Sequence, residues 1–196
     1  MKKKTNEMDI VFLLDRSGSM SNCVKDTIGG FNSYLNEQKK NKESLVTTIL
    51  FDDKYEVLYE RKPITEVKKL TEKDYFVRGC TALNDAVGKA IISLEQKNPK
   101  KVLFIITTDG LENASKEFRK QDIKALIEKH NDWNFLYIGA NIDSYAEGQR
   151  LGISRNNIAN YEQSTSGMQK LFRSISKASN MVSCEEFDSS WKKELE

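Results

Sequence analysis

Three short segments of this chain carry side chains that bind hard metal ions. The first spans residues 15–19 and reads Asp-Arg-Ser-Gly-Ser, the second contains a threonine at position 81, and the third, 107–110, reads Thr-Thr-Asp-Gly. Carboxylate and hydroxyl oxygens suit Mg²⁺, Mn²⁺ or Ca²⁺ and do not suit zinc or copper. The spacing of the first segment fits a loop in which every second side chain points inward. The sequence therefore predicts a site for one divalent ion, formed by Asp15, Ser17, Ser19, Thr81 and Asp109.

The charge of this donor set indicates what the site can hold. Asp15 and Asp109 carry two negative charges when ionised, so a divalent ion makes the site roughly neutral. The hydroxyls add neutral ligands and leave one coordination position for a ligand from outside. For Asp15 alone, a helix N-cap is an equally good interpretation. The presence of Thr81 and Asp109 favours the metal.

The elements that must position these segments are recognised from their hydrophobic patterns. Unbroken apolar runs at 10–14, 102–106 and 135–138 are typical of strands buried on both faces of a parallel sheet. The runs 45–51 and 55–59 are separated by Asp52-Asp53-Lys54, which predicts a tight turn and an antiparallel pair. Ligands of doubly wound sheets bind at the carboxyl ends of the strands. We therefore expect the three donor segments at one edge of the sheet.

Apolar stripes at helical spacing fill the intervals between these strands. They begin at Val24, Leu83, Ile123 and Met168, and each indicates a helix with one face on a sheet. The alternation predicts the α/β class: a doubly wound, Rossmann-like, mostly parallel sheet of six strands, with one antiparallel edge strand and helices on both faces. We assign residues 1–180 to a single domain. Residues 181–196 form a charged C-terminal tail, for which the sequence leaves open a frayed end or a docking segment.

Composition narrows the classes of function. A chain of 196 residues suits one domain. Its 31 basic and 29 acidic residues give a net charge of +2, which offers no electrostatic reason to expect nucleic acid or a membrane as partner. Three widely spaced cysteines argue against a disulfide framework or a zinc site and favour the cytoplasm. No window approaches the roughly 20 apolar residues of a membrane-spanning helix.

In their order and spacing, the donor segments resemble the metal-ion-dependent adhesion site of von Willebrand factor A domains, written Asp-x-Ser-x-Ser, then Thr, then Asp. Every motif residue is present, the resemblance covers roughly residues 8–180, and it looks closest to small stand-alone bacterial or phage versions of the domain. It implies that Ser17 and Ser19 ligate Mg²⁺ directly and that Asp15 acts through water or as a nearby acceptor. It also implies that Thr81 and Asp109 exchange direct and water-mediated contact. The open position would then accept an Asp or Glu of a partner protein.

Three functions from different classes follow. The resemblance favours a metal-dependent protein-binding module that is not an enzyme. The alternative is an accessory subunit of an AAA+ ATPase or of a bacterial stress or defence assembly. A Mg²⁺-dependent phosphatase or nuclease is disfavoured, because an Asp nucleophile needs a second carboxylate where this chain has Ser17. The chain also lacks a phosphate-binding Gly-rich loop, and its one histidine, His130, is expected at a solvated helix end.

Two neighbouring features have plainer interpretations. Cys80 lies beside Thr81, but no nearby residue marks its thiol as activated, so we expect a bystander. Asp52 and Asp53 are acidic enough to suggest a second metal, yet a hairpin turn explains them without one.

Overall fold

A computed structural model describes residues 7–196 of the chain as strands and helices in near-strict alternation. In chain order they are β1 (Met8–Asp15), α1 (Val24–Gln38), β2 (Ser44–Phe51), β3 (Tyr55–Pro63), α2 (Leu83–Glu95), β4 (Val102–Thr108), α3 (Lys120–Lys129), β5 (Asn134–Gly139), α4 (Ser144–Arg150), β6 (Ile158–Asn160) and α5 (Thr165–Ser183). Short 3₁₀ helices lie at Gly18–Cys23, Ile64–Glu66, Arg155–Asn157 and Ser189–Lys192.

The strands form one sheet in the order β3-β2-β1-β4-β5-β6. Every neighbouring pair is parallel except β2 and β3, so β3 is the antiparallel edge strand. The chain proceeds toward one edge after β1 and toward the other after β4, so the strand order reverses between β1 and β4. A crevice opens at the carboxyl ends of the strands at such a switch point. The predicted doubly wound α/β fold is confirmed.

Helices cover both faces because successive strand side chains point in opposite directions. On β1, Ile10 and Phe12 pack in a core with α1 and α5, whereas Val11 and Leu13 pack in a second core with α2 and α3. All four side chains are at most 1% exposed. Burial on both sides explains why these strands are unbroken apolar runs, and it fixes the carboxyl end of β1 against its neighbours.

Two elements have weak signals in the sequence. The sixth strand, β6, has only three residues, and it pairs with β5 through Ile158, Ala159 and Asn160. The seven-residue helix α4 precedes it. Both are too short for periodicity to identify. No helix within residues 7–196 is long and apolar enough to cross a membrane.

The C-terminal tail packs against the domain. Helix α5 continues through the expected boundary at residue 180 and ends at Ser183. Beyond it, Trp191 is fully buried and its indole N–H donates to the carbonyl of Asn156 at 3.0 Å. The Lys192 ammonium donates to the carbonyl of Ile158 in β6 at 2.8 Å. These contacts cover the β6 side of the sheet, so residues 184–196 are not a frayed end.

Candidate metal centre

The donor residues expected from the sequence lie together at the switch point. Asp15 is the last residue of β1, and Asp109 directly follows the end of β4, the parallel neighbour of β1. Ser17 lies between β1 and the following 3₁₀ helix, Ser19 lies in that helix, and Thr81 lies two residues before α2. The five residues Asp15, Ser17, Ser19, Thr81 and Asp109 are called the hydroxyl–carboxylate cluster below.

The three hydroxyls of this cluster converge on Gly110. A methyl group in place of its hydrogen would lie 2.7 Å from Thr81 Oγ1, 3.4 Å from Ser19 Oγ and 3.7 Å from Ser17 Oγ. Ser17 Oγ and Ser19 Oγ are 3.0 Å apart, and Ser19 Oγ donates a short hydrogen bond to Asp109 Oδ1. Glycine at position 110 therefore leaves the space that these oxygens face.

Asp15 lies deeper than the hydroxyls and orders the loop that carries them. Its Oδ1 accepts the backbone N–H of Ser17 at 2.7 Å, and its Oδ2 accepts the hydroxyl of Thr108 at 2.6 Å. The hydroxyl of buried Tyr75 donates to the Asp15 carbonyl. Burial raises the pKa of the Asp15 carboxyl to about 6, although the hydrogen bonds from Thr108 and Ser17 oppose that rise. Since both oxygens have donors, the geometry favours an ordering role for Asp15.

Asp109 is held by a residue that belongs to no motif. Besides the bond from Ser19, its Oδ2 accepts a hydrogen from Gln163 Nε2 at 2.6 Å. Gln163 lies between β6 and α5, more than 50 positions along the chain, and no spacing or composition in the sequence indicates it. Burial raises the pKa of the Asp109 carboxyl, and the bonds from Ser19 and Gln163 act in the opposite direction.

Thr81 is placed by reciprocal backbone and side-chain bonds with the loop after β4. Its N–H donates to Asn113 Oδ1 at 2.9 Å, and the Asn113 N–H donates back to the Thr81 carbonyl at 3.0 Å. Glu112 accepts the N–H groups of Asn84 and Ala114 at 2.7 and 2.9 Å. The loop that follows Asp109 is thus tied to the start of α2, which fixes the Thr81 hydroxyl relative to the rest of the cluster.

A buried ion-pair network supports the same loop from the other side. Arg16 is fully buried, and its Nε donates to Asp52 Oδ2 at 2.9 Å, while Arg78 Nε donates to the same oxygen at 2.7 Å. Asp52 also accepts the Lys54 N–H at 2.6 Å, as the predicted turn requires. Burial favours a higher pKa for Asp52, but the bonds from Arg78 and Lys54 and the charge of Arg16 bring that pKa below its usual value.

This network holds the loops around the hydroxyl–carboxylate cluster in fixed positions relative to one another. The Arg78 N–H donates to the Arg16 carbonyl at 2.9 Å, and the Gly18 N–H donates to the Gly79 carbonyl at 3.2 Å. Gly79 has a φ of +66°, a conformation that favours glycine. Asp52 therefore joins three loops of the site, a role that sequence reasoning missed because it interpreted this residue only as a turn former.

The donor set fits a hard divalent cation. It offers hydroxyl and carboxylate oxygens only, and no group of three or more His, Cys, Asp or Glu side chains suited to a metal occurs within residues 7–196. Asp15 and Asp109 form no ion pair with any residue of the described part of the chain, although both carboxyls are buried. Two buried acids without a cation are a combination that a divalent ion would neutralise.

The other candidate reactive residues lie outside this cluster or have no partner in it. His130 directly follows α3 and precedes β5, so it lies at the amino ends of the strands, whereas the donor residues lie at the carboxyl ends. It is not a solvated end, because its ring stacks on Trp133 with centroids 4.1 Å apart and its side chain is only 12% exposed. Cys80 is an exposed free cysteine. Neither residue supplies a base to the hydroxyl–carboxylate cluster.

Neither a protein-family model nor a curated protein matches the chain, but solved structures do. A von Willebrand factor type A structure from Catenulispora acidiphila matches with a TM-score of 0.63 and 13% identity, over 88% of this chain and 42% of its own. The vWF domain of the type V pili tip protein Mfa5 from Porphyromonas gingivalis matches with a TM-score of 0.67 and 11% identity, and the match covers 90% of this chain and 96% of the Mfa5 domain. The manganese-loaded TRAP protein of Plasmodium vivax matches with a TM-score of 0.59 and 18% identity, and the match covers 81% of this chain and 70% of the TRAP chain.

These similarities show that the chain has the fold of von Willebrand factor A domains. At such low identities they show the fold alone. The chain spans less than half of the Catenulispora structure and 45% and 46% of two other matched chains.

Proposed function

We propose that this domain binds one Mg²⁺ at the hydroxyl–carboxylate cluster and uses the ion to hold an Asp or Glu of a partner protein. The observation that carries the proposal is the convergence of three separate segments on Gly110, with the hydroxyls of Ser17, Ser19 and Thr81 within 3.7 Å of a methyl group built there. A bound Mg²⁺ would supply a Lewis-acidic position for an anionic oxygen, and Mn²⁺ or Ca²⁺ suits the same donors.

The charges of the cluster favour an additional anionic ligand. Asp15 and Asp109 together balance a divalent ion, and Asp15 already has hydrogen-bond donors on both of its oxygens. The remaining donors are neutral hydroxyls, so the ion keeps its Lewis acidity at the open position although the site as a whole is close to neutral. A partner carboxylate can bind there through a directional bond that water matches only in part.

Binding, not catalysis, is the activity we propose. Ser17 occupies the position at which an aspartyl phosphotransferase needs its second carboxylate, and its Oγ lies against Ser19 at 3.0 Å. His130 lies at the amino ends of the strands, away from the hydroxyl–carboxylate cluster at their carboxyl ends. Two matched structures support this choice, since one is a domain of a pili tip protein and another was loaded with manganese. Association with an AAA+ ATPase, a cytoplasmic location and kinship with small bacterial or phage proteins stay predictions.

Metal binding is tested by titrating Mn²⁺ into the wild-type protein and into Ser17→Ala, with free Mn²⁺ measured by electron paramagnetic resonance. Ser17→Ala removes one neutral ligand, so we expect binding about tenfold or more weaker, with an unchanged circular dichroism spectrum. Ser21→Ala is the matched control, because Ser21 is an exposed serine of the 3₁₀ helix that begins directly after Ser17. Equal affinity of wild type and Ser17→Ala would contradict the proposed site.

The protein-binding half of the proposal needs a separate experiment. Affinity capture with the wild-type domain is performed with Mg²⁺ and with a chelator, and is repeated with the Ser17→Ala and Ser21→Ala domains as bait. With Mg²⁺ present, we expect a partner to be retained by the wild-type and Ser21→Ala domains. The same partner should be lost from wild type in chelator and from the Ser17→Ala domain. A partner retained equally by Ser17→Ala and in chelator would contact some other surface.

A further inference from the structure

Gln163 is the one residue outside the hydroxyl–carboxylate cluster whose side chain bonds directly to Asp109 in the described part of the chain. Its Nε2 donates to Asp109 Oδ2 at 2.6 Å and lies 3.4 Å from the Ser19 carbonyl. Its Oε1 accepts a hydrogen from Asn141 Nδ2 at 2.8 Å. All the polar atoms of this amide therefore have partners, and the partners come from three different loops.

The orientation of the Gln163 amide follows from chemistry. An ionised carboxylate only accepts hydrogen bonds, so the NH₂ end must face Asp109. The opposite end then presents an oxygen to Asn141, which has an NH₂ group to donate. Asn141 has a φ of +56°, a backbone conformation that asparagine tolerates better than most residues. The β5–α4 loop thus holds Gln163 in place.

The contact restricts what Asp109 can do. Ser19 donates to its Oδ1 and Gln163 to its Oδ2, so the side chain is held from two sides, and a shift of Asp109 toward an ion would stretch the bond from Gln163. A carboxylate that ligates an ion directly lowers the ion's attraction for a further anion, whereas one held at a distance leaves more of that attraction available. The Gln163 amide therefore favours an ion with neutral direct ligands.

We propose that Gln163 is a positioning residue that holds Asp109 away from direct ligation and thereby raises the affinity of the bound ion for an external carboxylate. This inference rests on the proposed function and extends it. It makes an unusual prediction: loss of Gln163 strengthens binding of the metal and weakens binding of the carboxylate. A residue that only stabilised the β6–α5 loop would weaken both when removed.

The test is Mn²⁺ titration of Gln163→Met, a variant of similar shape without the N–H donor, in the absence and presence of acetate. In wild type, acetate tightens Mn²⁺ binding, because two ligands that favour each other must do so reciprocally. In Gln163→Met without acetate, we expect Mn²⁺ to bind about tenfold more tightly, the factor that corresponds to one hydrogen bond to a charged group. Acetate should then tighten it by a smaller factor than in wild type.

Two further variants make the result specific. Gln169→Ala alters an exposed glutamine of α5 and should behave as wild type. Chloride at matched ionic strength is the control for the effect of acetate. Asn141→Gly removes the bond to Gln163 Oε1 and keeps the positive φ accessible. Like Gln163→Met, it should bind Mn²⁺ more tightly than wild type and should respond less to acetate. It replaces Gln163→Met in the test if that variant fails to fold.

The possible outcomes separate this inference from the proposed function. Wild-type protein that binds no Mn²⁺ overturns both. Wild-type binding together with unchanged or weaker Mn²⁺ binding in Gln163→Met and Asn141→Gly overturns only the role of Gln163. Tighter Mn²⁺ binding with an undiminished effect of acetate also overturns it, because the two changes must occur together.

Discussion

Asp15→Asn separates the electrostatic account of the site from an account based on packing. Asp15 is fully buried, and burial raises the pKa of its carboxyl from 3.8 to about 6. One pKa unit corresponds to about 1.4 kcal/mol, so an ionised Asp15 without a cation lowers the free energy of unfolding by roughly 3 kcal/mol at pH 7. Asparagine keeps an acceptor for the Ser17 amide and carries no charge, so it removes this destabilisation.

The pH dependence has a definite sign. Because the folded-state pKa of Asp15 lies above its unfolded value of 3.8, the destabilisation is absent below that pH and grows until the pH passes about 6. The lost bond from Thr108 costs Asp15→Asn about 1 kcal/mol at every pH. In chelator, we therefore expect Asp15→Asn to be about 1 kcal/mol less stable than wild type near pH 3 and about 2 kcal/mol more stable at pH 7.

The assay is urea unfolding of both proteins in chelator at the two pH values, and again with saturating Mg²⁺ at pH 7. Mg²⁺ should raise the free energy of unfolding of wild type more than that of Asp15→Asn, because the ion binds the native state and neutralises the Asp15 carboxylate. Asp132→Asn, an exposed aspartate in the turn before β5, is the matched control and should show neither effect. The reasoning is refuted if Asp15→Asn is less stable than wild type in chelator by the same amount at both pH values.

Three further substitutions test the parts that support the site. Trp191→Ala should lower the free energy of unfolding by about 3–5 kcal/mol because the indole is fully buried, while Mn²⁺ affinity per folded molecule stays unchanged; a loss below 1 kcal/mol in urea unfolding would contradict the packing of the tail. Asp52→Ala leaves buried Arg16 with the half-exposed Glu56 as its remaining ion-pair partner and should cost about 3 kcal/mol by the same method, together with weaker Mn²⁺ binding; a loss of stability alone would mean that the network does not position the site. Gly110→Ala places a methyl group 2.7 Å from Thr81 Oγ1 and should weaken Mn²⁺ binding with little change in the thermal melting temperature; unchanged Mn²⁺ affinity would show that the ion does not lie there.

The fold was predictable because burial on two faces leaves a strong pattern. The strands at 10–14 and 102–106 are apolar without interruption since both of their faces lie in a core, and the helical stripes mark the faces that cover them. The sixth strand was expected, but its position was not, because the three residues of β6, Ile158–Asn160, have no measurable period. Its place in the sheet is secured by tertiary contacts, including the bond from Lys192, which no local pattern reveals.

The sequence could indicate which side chains lie close together only where those residues directly follow neighbouring strands. Ser17, Ser19 and Asp109 come directly after strands whose carboxyl ends meet, so topology brings them together. Gln163 and Asp52 reach the site or its supporting loops through side-chain directions that depend on the packing of distant segments. Asp52 was interpreted as a turn residue, which is correct for its bond to Lys54 and omits its bonds to two arginines.

The most direct test of the central claim is a crystal structure of the protein grown with Mn²⁺, with an anomalous difference map recorded for the metal. The account predicts one strong peak beside Gly110, in contact with the hydroxyls of Ser17 and Ser19 and with Thr81, and with water or a carboxylate from a neighbouring molecule in the open position. The same map from Ser17→Ala crystals should show a much weaker peak. Well-ordered wild-type crystals with no peak at this place, at Mn²⁺ concentrations that saturate other hard-oxygen sites, would contradict the claim that this edge of the sheet is a metal centre.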